Sequence, residues 1–105
     1  MSTVDAVAAE RTLQLPADLH ARPAGKFAQR AAQFRSAVTV AVGERAVDAR
    51  SVLLVMGLGA IAGSDVTILA VGEDAEDAVG ILGDLLLAGD GEPRGADGSG
   101  ATPGS

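Results

Sequence analysis

Residues 11–34 read RTLQLPADLHARPAGKFAQRAAQF, and the fold is decided within this stretch. Thr12, Leu13, Gln14 and Leu15 alternate polar and apolar, which predicts a half-buried strand from Arg11 that Pro16 stops. Ala24, Phe27, Ala28, Ala31 and Ala32 then fall at helical spacing, with Lys26, Gln29, Arg30 and Gln33 on the opposite side. The helix begins just after His20, the single histidine of the chain, and holds Pro23 in its first turn, where a missing N–H costs little.

Downstream, Val38, Val40 and Val42 share one face of a strand over Ala37 to Val42, and Gly43-Glu44 separates it from a second strand over Arg45 to Asp48, as in a hairpin. Ser51 can cap a short apolar turn, Val52 to Met56, which Gly57 and Gly59 end. Asp65 to Val71 is rich in β-branched residues and reads as a fourth strand. A last helix follows with Asp74 as its cap, Glu76 and Asp77 in the first turn, and an apolar stripe of Ala75, Ala78, Val79, Leu82, Leu85 and Leu86. Gly80 and Gly83 weaken it by about 1 kcal/mol each relative to Ala. The predicted order is β-α-β-β-α-β-α.

The 105 residues suffice for one core, expected over residues 11–88. Residues 1–10 are expected to be a loose arm. Residues 89–105 are rich in Gly, Pro and Ser and lack large apolar side chains, so a disordered tail is expected. With no cysteine, thiol catalysis and thiolate metal sites are excluded. A net charge of −6 argues against nucleic acid as a partner. No secretory signal is legible, so a cytoplasmic location is expected, and the longest apolar stretch, Val52 to Gly63, is too short and too interrupted for a membrane span.

Chemistry gathers at His20. A helix N-terminus carries partial positive charge, which disfavours imidazolium and favours the neutral ring that can attack phosphorus. The same N–H groups, with the guanidinium of Arg22 two residues on, can hold the dianion that results, without metal or cofactor. Ser51 is fully explained as a cap. Val52 to Met56 is apolar nearly all round, so either part of it is an exposed patch or loops bury all five side chains. Gly57 to Ala62 lacks the final glycine and the strand-to-helix context of a dinucleotide fingerprint, and the acidic run at 73–77 lacks calcium-loop spacing.

The motif Leu19-His20-Ala21-Arg22-Pro23-Ala24, continued in register through Phe27, Phe34, Val38-Thr39-Val40 and the segment Ala49 to Gly59, resembles HPr, the histidine-containing phosphocarrier family of the phosphoenolpyruvate-dependent sugar phosphotransferase system. The resemblance covers Arg11 to about Ala88. It implies an α/β (α+β) open-faced sandwich, with a four-stranded antiparallel sheet and three helices on one face. It implies a carrier rather than an enzyme, phosphorylated on Nδ1 of His20 by enzyme I, with Arg22 attending the phosphoryl group and enzyme IIA as acceptor. Ser51 matches the serine that a dedicated kinase modifies in some bacteria. Ala21, Gly25, Val52, Leu53 and Met56 match the partner-binding patch, with Lys26 and Gln29 at its rim. A monomer is the expected state. A regulatory module governed through Ser51, or a carrier attached to nitrogen regulation or dihydroxyacetone phosphorylation, would fit the same residues. One departure stands out. The family usually has glycine before the Leu-His pair, and Asp18 here places a negative charge near the phosphoryl site, expected either to slow transfer or to favour the charged form of the histidine.

Overall fold

The computed structural model describes residues 7–88. Its elements run β1 (Ala8–Gln14), α1 (Ala21–Ala31), β2 (Ala37–Val42), β3 (Arg45–Asp48), α2 (Val52–Gly57), β4 (Asp65–Val71) and α3 (Ala75–Leu87). The four strands form one antiparallel sheet in the order β1-β4-β2-β3. The expected architecture is the one found.

Alternation along each strand makes the sheet one-sided. Leu13, Val38, Val40, Val66, Ile68 and Ala70 point into the core, while Thr12, Gln14, Asp65, Leu69 and Val71 lie on the open face. On the covered face sit Ala24, Phe27 and Ala31 of α1, Val55 of α2, and Ala75, Ala78, Leu82 and Leu86 of α3. Phe27 is fully enclosed at the centre, and alanines let the helices come close around it.

Two expectations are corrected. β1 begins at Ala8, three residues before Arg11, and ends at Gln14 instead of running to Pro16. Ala8-Ala9-Glu10 has no alternating pattern to betray a strand, but β4 is long enough to pair Ala8 with Val71, Ala9 with Ala70 and Glu10 with Leu69. The end of the proposed loose arm is therefore part of the sheet, whereas residues 1–6 and the 89–105 tail lie outside the described residues. Asp74 precedes α3, yet its side chain makes no cap bond. Its carboxylate instead accepts the backbone N–H groups of Arg35 and Ser36, both at 2.9 Å, and the hydroxyl of Ser36.

Of the two glycines expected to stop α2, Gly57 is its last helical residue and Gly59 is the one with positive φ, 66°. That reversal sends the chain into the 60–64 loop that borders the histidine.

Candidate functional site

His20 is held from both sides along the backbone. Leu19 ahead of it packs against the core and donates its N–H to the carbonyl of Ala60 at 3.0 Å. Behind it, the carbonyl of His20 accepts the N–H of Ala24 at 2.9 Å and so opens α1. The residue has extended dihedrals, φ −78° and ψ −179°, as an N-cap should, but its imidazole makes no capping bond to the helix. The side chain is 78% exposed. Backbone anchorage fixes where the imidazole leaves the chain, and the ring itself faces solvent.

His20 and Arg22 line one open depression of about 550 Å³ with Ala17, Asp18, Pro23 and Ala62. Pro23 is buried and pins the first turn, so Arg22 projects from a rigid base. Asp18 crosses the depression. Its Oδ1 accepts the N–H of Ala62 at 2.8 Å, and its Oδ2 stands 3.9 Å from Nε2 of His20. An exposed cation, a helix N-terminus and an exposed imidazole thus converge on a space open to a phosphoryl-sized anion. Among the described residues no group of His, Asp and Glu is arranged to hold a metal ion.

The short α2 packs against α1. Its capping serine works as expected: Oγ of Ser51 accepts the N–H of Leu54 at 3.2 Å. Beside it, the guanidinium of Arg50 grips Asp48 through both carboxylate oxygens, at 3.1 and 3.0 Å, and holds that carboxyl below the usual carboxylate range. Six residues cannot turn every apolar side chain inward. Val55 is fully buried, whereas Leu53 is 80% exposed and Val52, Leu54 and Met56 are exposed as well. The reading in which loops bury all five is overturned.

Of the remaining patch residues, Ala21 and Gln29 are exposed on α1 and Gly25 and Lys26 are half-buried on it. Two exposed apolar side chains, Leu54 and Ile61, and the site-lining Ala62 were not singled out from sequence. Leu54 was legible as part of the apolar run. Ala62 was not, because only the return of the 60–64 loop to Asp18 brings it to the histidine. Among the described residues no helix is long and apolar enough to cross a membrane.

Comparison with known proteins agrees with this geometry. The family model of the PTS HPr component phosphorylation site matches residues 7–87. The chain is 41% identical over 71 residues to a phosphocarrier protein HPr of Lysinibacillus sphaericus, an alignment spanning 68% of this chain and 81% of that protein. It is also 41% identical over 66 residues to a multiphosphoryl transfer protein of Xanthomonas campestris pv. campestris, covering 63% of this chain but only 8% of that longer protein. Among solved structures, an HPr from Thermoanaerobacter tengcongensis superposes with a TM-score of 0.74 at 36% identity, over 82% of this chain and 99% of the other. A phosphocarrier protein HPr from Bacillus anthracis gives 0.72 at 31% identity, over 75% and 96% of the two chains. With the strand order, the histidine at the mouth of α1 and these matches in hand, the chain belongs to the HPr family of phosphocarrier proteins of the phosphotransferase system.

Proposed function

We propose that His20 accepts a phosphoryl group from the phosphohistidine of enzyme I and yields it to a sugar-specific enzyme IIA. The observation that carries this reading is the exposed imidazole of His20 sharing one depression with Arg22 at the N-terminus of α1. Nδ1 attacks phosphorus as the donor nitrogen leaves in line, and the helix end and Arg22 stabilise the negative charge on the transferring group. In the second transfer the acceptor attacks and Nδ1 leaves. No resident cofactor is required.

Docking falls to the α1 and α2 surface: Ala21, Gly25, Lys26 and Gln29 on one helix, Val52, Leu53 and Met56 on the other. The exposure of Leu53 and Met56 supports it, since an apolar patch beside the reacting group excludes water when a partner closes over it. A cytoplasmic monomer that meets its partners in turn is the state this reading implies. Ser51 is the position a serine kinase would modify. Phosphorylation there would put a dianion at the head of α2, beside that patch.

The test is incubation with phosphoenolpyruvate and enzyme I. The expected label is lost in acid, as phosphohistidine is and phosphoserine is not. It should disappear in His20→Ala and persist in Ser51→Ala. A label that survives in His20→Ala would refute the assignment.

A further inference from the structure

We propose, taking His20 as the phosphoryl acceptor, that Asp18 is a positioning residue: its carboxylate holds the ring hydrogen on Nε2 and so leaves the lone pair on Nδ1. Three observations converge. The 2.8 Å bond from the Ala62 N–H to Oδ1 fixes the carboxylate against a loop 44 residues further along the chain. The remaining oxygen, Oδ2, faces the ring, and Nε2 is the nitrogen nearest to it, at 3.9 Å. The imidazole makes no capping bond to α1, so the helix backbone does not itself select a tautomer.

A neutral imidazole carries one N–H and one lone pair, and an ionised carboxylate only accepts. The nitrogen facing Asp18 is therefore the one that carries hydrogen, and a modest side-chain rotation shortens 3.9 Å to a hydrogen bond. The electron balance then needs no proton transfer. The Nδ1 lone pair forms the new N–P bond while the donor N–P bond breaks and its electron pair stays with the donor. The ring becomes a cation with phosphoryl on Nδ1 and hydrogen still on Nε2, facing the carboxylate. Onward transfer returns the electron pair to Nδ1 and restores the neutral Nε2–H ring. The charge expected to act as a brake lies closest to the nitrogen that does not react. Arg22 lines the same depression.

Nitrogen-15 spectra of the imidazole in the full chain, recorded across a range of alkaline pH until the shifts no longer change, read the tautomer directly. The wild-type ring should be Nε2–H. In Asp18→Asn the amide oxygen can keep the Ala62 N–H, which turns the amide NH2 toward Nε2 as a donor. The Nδ1–H share should then rise roughly threefold to tenfold, the equilibrium worth of one exposed hydrogen bond. Asp18→Gly should give a smaller rise, and phosphoryl uptake should slow in the same order. Equal tautomer shares in all three proteins would overturn the proposal even if His20 is still labelled by enzyme I. Absence of label in the wild type would overturn the carrier reading, and with it the purpose assigned to Asp18.

Discussion

Gly72 occupies a place no other residue fits. Its φ is 151°, and a Cβ added there would lie 2.6 Å from both Cα and Oγ of Ser36. Backbone, rather than a flexible side-chain end, blocks the way. Gly72→Ala should therefore destabilise the fold by about 1–3 kcal/mol, as overpacking does. Urea unfolding measures this, and a loss under about 0.5 kcal/mol would show that Ser36 moves aside freely. Ser36 itself is 4% exposed, and its hydroxyl is satisfied by the carboxylate of Asp74. Nothing around Gly72 in the sequence announces this crowding. The juxtaposition of His20 and Arg22 at one helix start, by contrast, was legible, because it depends on neighbours two positions apart.

At the scale of elements, Gly83 shows why α3 carries a glycine at a cost in propensity. The guanidinium of Arg11 from β1 lies across it, with Nη1 donating to the carbonyl of Gly80 at 2.9 Å and standing 3.3 Å from Asp84. A Cβ on Gly83 would meet Arg11 atoms at 2.5 to 2.8 Å. Gly83→Ala alone should change stability by less than about 0.5 kcal/mol, because the gain in helix propensity offsets the displaced hydrogen bond. In an Arg11→Ala background the same change should stabilise by about 1 kcal/mol, with Arg11 no longer in the way. A double-mutant cycle in urea reads the difference, and equal effects in both backgrounds would show that Arg11 does not set the need for glycine. Helix propensity reports the weakening at Gly83 but not Arg11, 72 positions earlier.

In the molecule as a whole, Asp74 ties the turn after α1 to the start of α3. The Ser36 hydroxyl, and next the Arg35 N–H, hold its carboxyl below the usual carboxylate range. A carboxyl lowered in the folded state stabilises the fold above the unfolded-chain value of about 3.9, and that stability is lost as pH falls through the folded value. Asp48, lowered by the Arg50 guanidinium, acts in the same sense. The urea midpoint should hold steady near neutrality and fall below about pH 4. Asp74→Ala should lower the midpoint at pH 7 and narrow its gap from wild type in acid. A gap that stays constant across the range would mean that ionisation of Asp74 contributes nothing.

Local order was legible from the residues alone. Alternation located β2, the Gly43-Glu44 turn located β3 and β-branched content located β4, each at its observed bounds; helical spacing after His20 located α1, and the unrelieved apolar run of α2 implied side chains that could not all turn inward. Those features depend on neighbours one to four positions apart, which is the range over which a sequence pattern reports conformation. The start of β1 at Ala8, the use of Asp74 as a tie instead of a cap, the crowding at Gly72 and the reach of Asp18 to Ala62 were decided by the tertiary structure. Each is a contact between residues at least 36 positions apart, and no periodicity along the chain encodes such a meeting until the sheet has paired and the helices have closed over it.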